Sequence, residues 1–303
     1  MKKYVIAFLT LIFSLSAYSL SFTIESSTRL LNGNTCEYVI VEDKGTDKLL
    51  SRINWNMTNL VIQEIGLGFE WHNLSLNAAF SAGLPKSSGS TIDRDWIDYK
   101  VNNLYSKSDN HLDFYFDYCA DIGYSFLWKE LEFRPFFSVG YKNYKFTGSD
   151  GYCMYSPLGV SYKAAKKADL EGDIFDYKIA SIYTWLGFDF NIHHKNWTVC
   201  SSGALMPYQI TNCFDSHLLR NLDFFDETEG TFCGAKASVG VKYAFTRLIS
   251  IKSEVEGVTL FRITGDTYSK NSSDSEYERS KNSIGGYSTN HLSFDLGICL
   301  NLF

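Results

Sequence analysis

The sequence predicts an all-β protein, namely a transmembrane antiparallel β-barrel of about ten strands. Three observations carry this prediction. Apolar and polar residues alternate every second position over long segments, tight turns alternate with long polar segments between them, and aromatic residues make up 16% of the 303 residues. With only 4 prolines as well, this composition favours long aromatic-rich strands over helices or a loop-rich fold.

The charge and the cysteines exclude two broad classes of protein. A formal net charge of -6, with no cluster of Lys and Arg, argues against nucleic-acid binding. The 7 cysteines are scattered and odd in number, which does not fit a small disulfide-rich scaffold.

The N-terminus has the order of features found in secretory signal peptides. Lys2 and Lys3 precede an apolar run from Val5 to Leu15, and small residues follow. This predicts a signal peptide over residues 1–19 and a mature barrel over residues 20–303. No later apolar stretch is long enough for a transmembrane helix.

Four segments show the alternation most clearly, with one apolar face and one polar face each. Their apolar faces comprise Leu112, Phe114, Phe116, Tyr118, Ile122, Tyr124 and Phe126; Ile182, Leu186, Phe188, Phe190 and Ile192; Val239, Val241, Tyr243 and Phe245; and Leu292, Phe294, Leu296, Ile298, Leu300 and Leu302. Strands of soluble sandwiches are usually about five or six residues long. The longer alternation here is typical of strands that cross a membrane.

The connections between strands predict two unlike rims. Tight turns are expected at residues 71–73, 128–130, 193–196 and 245–247, and long extracellular loops at residues 85–110, 147–175, 212–230 and 264–286. An even strand number places both chain ends at the periplasmic rim. Five tryptophans near strand ends could form interfacial girdles or simply pack inside: Trp55, Trp71, Trp128, Trp185 and Trp197.

Two motifs in the predicted loops carry residues suited to chemistry. Asp93 and Asp95 share one side of an extended chain, so they could hold a water molecule or share a proton, although an acidic loop or a cation site is the more common meaning of a bare Asp-x-Asp. In the second motif, Asp215 could orient His217 as a general base. In a barrel of about ten strands these motifs lie five strands apart and face each other across the mouth.

The chain resembles the omptins, outer-membrane endopeptidases of Gram-negative bacteria with ten-stranded barrels. The resemblance rests on Asp-x-Asp-Trp-x-Asp at 93–98 and Asp-x-His at 215–217, with weaker matches at Asn54-Trp55, Gly140-Tyr141 and Gly285-Gly286. It implies a catalytic set of Asp93, Asp95, Asp215 and His217, in which His217 activates a water molecule. It also implies peptide or protein substrates, a monomer, a site facing the exterior, and neither metal nor cofactor.

The resemblance also implies residues that bind substrate and lipid, but the chain departs from the family pattern at some of these positions. Glu37 matches an acid that binds basic substrate side chains, but Cys213 stands where a second acid is expected, so a weaker preference for Arg or Lys is expected. Omptins bind outer-membrane lipid, the lipid A part of lipopolysaccharide, through Tyr-x-Glu-x-Arg. Here that pattern reads Tyr141, Asn143 and Lys145, which makes Tyr141 and Lys145 the candidate lipid contacts.

Three other interpretations remain open at this point. A non-enzymatic barrel acting as an adhesin or surface receptor would keep the fold without turnover. A small porin is disfavoured because inward side chains largely fill a barrel of this size. Finally, Cys213 and His217 could act as a thiol nucleophile with its base, or as metal ligands.

Overall fold

The computed structural model describes residues 20–43 and 45–302. Twelve β-segments and two one-turn 3-10 helices make up nearly all of this part. The segments are β1 (Leu20–Asp43), β2 (Thr46–Trp71), β3 (Leu74–Gly83), β4 (Lys86–Asp95), β5 (Leu104–Tyr124), β6 (Phe126–Trp128), β7 (Leu131–Tyr155), β8 (Ala168–His194), β9 (Trp197–His217), β10 (Leu222–Ala244), β11 (Ile249–Asn271) and β12 (Glu278–Leu302); the 3-10 helices are Tyr162–Ala164 and Leu218–Arg220. The predicted signal peptide lies outside the described residues.

The twelve segments form ten barrel strands, which confirms the predicted fold class. β3 and β4 both pair with β2 on one side and β5 on the other, so together they make one strand interrupted at residues 84–85. β6 continues β5 along β7. Antiparallel pairing of β1 with β12 closes the sheet into a ring. The described residues contain no helix long and apolar enough to cross a membrane.

An outward-facing apolar band covers the half of the barrel next to the tight turns. Most of the alternating residues predicted from the sequence are exposed there on β5, β8, β10 and β12, whereas Phe114, Tyr243 and Leu302 are half-buried. Leu112 is an exception, because a β-bulge between Leu112 and Phe114 reverses the faces and buries Leu112 inside. Register shifts also occur at Leu31/Gly33, Tyr183/Leu186, Thr231/Gly234 and Leu260/Ile263, each near the place where the band ends.

The two rims differ less in structure than the sequence predicts. The tight turns are present, and His72, Lys129 and Lys195 each take a positive φ of 54–57° in them. The segments predicted as long loops are mostly strand, and only residues 96–103, 156–167, 218–221 and 272–277 connect strands there. The loop prediction is wrong because ladder hydrogen bonds do not depend on apolar side chains, so polar strands continue above the band.

A layer of aromatic side chains crosses the interior above the band. Trp55 is fully buried, and its ring stacks on Tyr177 at 5.3 Å and on Phe146 at 6.0 Å between centroids. Trp55 and Trp185 therefore pack inside and belong to no girdle, whereas Trp71, Trp128 and Trp197 are exposed at the tight-turn rim. Below Trp55, the Tyr144 hydroxyl is hydrogen-bonded to Thr35 at 3.0 Å and to Tyr287 at 2.9 Å. This layer closes the upper interior from below.

Two single substitutions by Arg, one inside and one outside the band, test whether the band faces lipid. Leu296 in the band is 55% exposed and Leu158 in the connection 156–167 is 64% exposed. In liposomes, Leu296→Arg should lower the free energy of unfolding by about 2–4 kcal/mol, since the charge enters hydrocarbon. Leu158→Arg should change it by less than about 0.5 kcal/mol. Equal, small effects in urea unfolding would show that the band does not face lipid.

Candidate active site

Asp93 and Asp95 lie at the end of β4, on the face that points into the barrel. Pairing with β2 places Asp93 opposite Ile53 and Asp95 opposite Ser51. Both side chains are buried. Because residues i and i+2 of a strand share a face, their carboxyl groups point into the same space.

Asp215 and His217 end β9 and are also buried inside. His217 Nε2 lies 2.7 Å from Asp215 Oδ2. The rings of Phe175 and Phe224 meet the imidazole edge-on, with centroids at 5.0 and 5.3 Å. A carboxylate beside Nε2 favours a proton on that atom. This leaves Nδ1, which has no hydrogen-bond partner in the described chain, as the acceptor.

The structure brings the two motifs together inside the upper barrel. Burial raises the pKa of Asp93 to about 7, and repulsion from Asp95 acts in the same direction, while the positive charges of His217 and Arg220 oppose it. Burial also raises the pKa of Asp95, against a hydrogen bond from Ser51. The pair is therefore poised to gain or lose a proton near neutral pH.

The charge of His217 depends on the acids around it. Burial by itself lowers the pKa of an imidazole, but the carboxylates of Asp215 and Asp93 outweigh burial and raise the pKa of His217 above its ordinary value. His217 is consequently protonated in slightly acidic solution and becomes neutral only as the pH rises.

An acidic cavity of about 240 Å³ adjoins His217. Glu37 on β1 and Asp226 on β10 line it and are only 4% and 3% exposed. Glu37 Oε2 and Asp226 Oδ1 have no hydrogen-bond partner among the described residues. Burial raises the pKa of both groups, that of Asp226 to about 7, and the charge of Asp215 adds to both shifts. Buried carboxyl groups with free oxygens favour a cationic partner.

Asp226 is not marked by any motif in the sequence, where Glu37 stands as a lone acid. Asp226 is paired in register with Cys213, so the neighbouring strand supplies a carboxyl group beside the position where the acid is absent. A Cβ at Gly285 would collide with the Asp226 carboxyl group, so the space for this side chain depends on that glycine. The turn at residues 218–221 could have revealed this pairing. Counting outward from it along β9 and β10 places residues 213 and 226 opposite each other.

The surroundings of Cys213 disfavour a thiol nucleophile. Burial raises the pKa of the thiol well above its ordinary value, and the charge of Asp226 adds to the shift. The sulfur is therefore a neutral thiol, which is a poor nucleophile. Across residues 20–43 and 45–302, no three His, Cys, Asp or Glu side chains are grouped as metal ligands.

Arg220 is a second residue that the sequence analysis did not single out. It ends the 3-10 helix Leu218–Arg220, lines the cavity and hydrogen-bonds to the hydroxyl of Tyr155. Its charge lowers the pKa of both Asp93 and Asp95. Among the described groups that shift the pKa of Asp93 or Asp95, it is the one that stays positively charged at every pH of interest, and nothing in its sequence context marks it.

The candidate lipid contacts lie on the outer wall. Tyr141 is exposed on the apolar band. Lys145 Nζ lies 2.9 Å from Asp176 Oδ2 and 3.1 Å from Asp113 Oδ2, so two carboxylates already balance its charge. An anionic lipid would have to compete with both for this ammonium group.

Comparisons with known proteins agree with this architecture. The model of the Omptin family matches residues 18–301. Among solved structures, the outer membrane protease OmpT from Escherichia coli is similar with a TM-score of 0.84 and 16% identity, covering 93% of this chain and 97% of that one. The translocator domain of the autotransporter NalP from Neisseria meningitidis reaches a TM-score of only 0.37 at 10% identity, over 99% and 95% of the two chains. No curated protein matches the chain.

The titration of His217 tests this electrostatic arrangement. In the folded barrel we expect His217 to titrate above 6.5. Asp215→Asn should lower the pKa of His217, because it removes the negative charge that contributes most to raising it. The measurement is NMR of ring-labelled histidine, with His217→Ala to assign the signal. Asp223→Asn on the same hairpin is the control and should leave the pKa unchanged. A pKa at or below 6.5 in the unaltered barrel would contradict the described surroundings.

Proposed function

Because the chain belongs to the omptin family, we propose that it is an outer-membrane protease whose His217 and Asp215 activate water opposite Asp93 and Asp95. One observation carries this proposal. The imidazole of His217 lies 2.7 Å from the carboxylate of Asp215, and the charges of this dyad act on the buried aspartate pair. The four side chains come from β4 and β9, which lie four barrel strands apart, and all four are buried in one space.

The proposed reaction is direct attack of water on the peptide carbonyl. Nδ1 of neutral His217 accepts a proton as the water oxygen bonds to the carbonyl carbon, and Asp215 stabilises the resulting imidazolium. Asp93 and Asp95 accept a hydrogen bond from the other hydrogen of the same water molecule and so keep its oxygen in place. When the carbon–nitrogen bond breaks, the leaving amine takes the proton from His217. No covalent intermediate with the protein is formed.

The orientation proposed for the barrel puts this site at the cell exterior. Both ends of the described chain lie at the tight-turn rim, and the active site lies toward the opposite rim. In bacterial barrels the tight-turn rim with the chain ends is periplasmic. Peptides or proteins outside the cell would therefore reach the site from above, while the aromatic layer around Trp55 closes it from below.

We further propose that the acidic cavity holds a basic substrate side chain next to the scissile bond. Glu37 and Asp226 offer carboxyl oxygens without partners to a guanidinium, which has five donors to satisfy. Binding of a cation would replace the protons that burial keeps on these acids at neutral pH. With Asp226 beside Glu37, the preference for Arg or Lys should be stronger than a single carboxylate would provide.

Turnover of a mixed peptide library, followed by mass spectrometry, tests the catalytic assignment. His217→Ala, Asp215→Ala, Asp93→Ala and Asp95→Ala should each lower kcat/KM about 10²- to 10⁴-fold, because general-base catalysis is lost. For the intact enzyme, kcat/KM should fall as the pH falls through a value above 6.5, since His217 gains a proton and Asp93, with a pKa of about 7, does too.

Asp223→Ala is the matched control, because this acid lies on the same hairpin outside the cavity. It should keep full activity. Full activity of His217→Ala, or inhibition by a thiol-alkylating reagent that Cys213→Ser abolishes, would move the chemistry to other residues. No cleavage of any peptide by the folded, unaltered barrel would instead favour the adhesin or receptor interpretation.

The cleavage sites in the same library test the acidic cavity. Asp226→Asn and Glu37→Gln should each reduce cleavage after Arg or Lys by about 1.5–3 kcal/mol, roughly ten- to a hundredfold, while cleavage at neutral sites changes little. Selectivity for basic sites should also fall as the pH falls through about 7, because Asp226 then takes up a proton.

Glu227→Gln is the control for these variants, since Glu227 is adjacent to Asp226 but does not line the cavity. It accepts a hydrogen bond from Tyr268, which a glutamine oxygen can also accept. Glu227→Gln should leave the site distribution unchanged. Basic selectivity that survives Asp226→Asn undiminished would assign the cavity's charge to Glu37 alone. A library without enrichment of Arg or Lys in the unaltered enzyme would refute the basic pocket but not the catalytic assignment.

A further inference from the structure

A pair of arginines shares one tyrosine on the outer wall of the barrel, away from Tyr141 and Lys145. Arg52 Cζ lies 5.7 Å and Arg262 Cζ 5.5 Å from the centroid of the Tyr38 ring. Tyr38 on β1 is paired with Arg52 on β2, and Arg262 reaches it from β11 across β12. Three strands that come from both ends of the chain therefore contribute to this cluster.

The alternation of the strands puts the cluster outside. Glu37, Ile53 and Ile263 precede or follow the three cluster residues and are all buried inside. Successive strand residues point to opposite faces, so Tyr38, Arg52 and Arg262 point outward. At Gly286, between the two strands, a Cβ would lie 3.2 Å from the Cβ of Tyr38 and 3.6 Å from the Cδ of Arg262. The glycine leaves room for the arginine to cross.

Neither guanidinium has a carboxylate partner among the described residues. Arg52 Nε donates to Asn54 Oδ1 at 2.7 Å and its Nη2 to Cys36 Sγ at 3.6 Å. No ion pair forms at either arginine within residues 20–43 and 45–302. Lys145 on the same outer wall differs, because Asp113 and Asp176 balance it. Two like charges on one ring repel each other, and an anion between them would remove this repulsion.

The cluster lies above the apolar band, on the side away from the tight turns, and Phe261 lies between the cluster and the band on β11. Arg262 follows Phe261, which is 58% exposed, and Leu292 and Leu30 are exposed apolar residues on the neighbouring strands below. A ligand that satisfies both features carries an anionic group at the arginines and apolar chains along the band. Guanidinium groups match phosphate oxygens with paired hydrogen bonds, which suits a phosphate as the anion.

We propose that Arg52, Tyr38 and Arg262 bind the phosphate group of a membrane lipid in the outer leaflet. The two guanidinium groups clamp the phosphate, Tyr38 holds their planes in place, and the acyl chains lie against Phe261 and Leu292. This site depends on the barrel being inserted in a membrane and not on its proteolytic activity.

Binding of matched lipids to the full barrel in uncharged detergent micelles tests the site. The probes are phosphatidic acid, diacylglycerol with the same acyl chains, and inorganic phosphate, with bound copies counted by native mass spectrometry. Phosphatidic acid should bind at least tenfold more tightly than diacylglycerol or inorganic phosphate. The double variant Arg52→Gln/Arg262→Gln should lose at least tenfold in affinity, and higher salt should weaken binding to the unaltered barrel.

Lys107→Gln/Lys163→Gln removes two exposed cations elsewhere in the upper barrel and is the matched control. It should change the affinity less than twofold. Equal loss in this control, or no loss in the arginine variant, overturns the proposal, as does inorganic phosphate binding as tightly as phosphatidic acid. Arg262→Gln alone changes only one exposed side chain, so it should still fold and weaken binding if the double variant fails to fold. Because the readout is binding, an inactive protease would not affect the result.

Discussion

Antiparallel pairing of β1 with β12 closes the sheet, and the other features of the molecule depend on this closure. Hydrocarbon offers no water to an unpaired N–H or C=O group, and each such group would cost several kcal/mol. Register pairs from Phe22–Leu302 to Val41–Ser283 remove that cost at the seam between the chain ends. Closure also separates an inside from an outside, so that one alternating pattern serves two environments.

The closed interior explains the unusual electrostatics of the candidate site. Glu37, Asp93, Asp215 and Asp226 come from four different strands, yet they share one space inside the upper barrel. Burial raises the pKa of Glu37, Asp93 and Asp226, and the charge of Asp215 adds to each of these three shifts. The aromatic layer below limits solvent from that side. Such a group of acids can accept a cation and polarise a water molecule, which is the basis of the proposed hydrolysis of peptides beside basic residues.

The β-bulges at the upper edge of the apolar band decide which residues enter that interior. On β5, odd-numbered residues face inward below the bulge at Leu112/Phe114, whereas Ser106, Ser108 and Asn110 face inward above it. The outer wall changes at the same level, from lipid-facing aromatic and aliphatic residues to charged ones. Some of these charges are balanced, as at Lys145, and others, as at Arg52, have no carboxylate partner among the described residues.

The sequence by itself determined the barrel, the tight turns and the two acidic motifs, because alternation and turn residues are local properties of the chain. It could not show that Leu112 is buried, that Trp55 forms part of the interior layer, or that the predicted long loops are mostly strand, since bulges and ladder hydrogen bonds depend on the neighbouring strand. Asp226 illustrates the limit most clearly. Only the pairing of β9 with β10 places it opposite Cys213 and beside Glu37, thirteen residues along the chain from the position where an acid was sought.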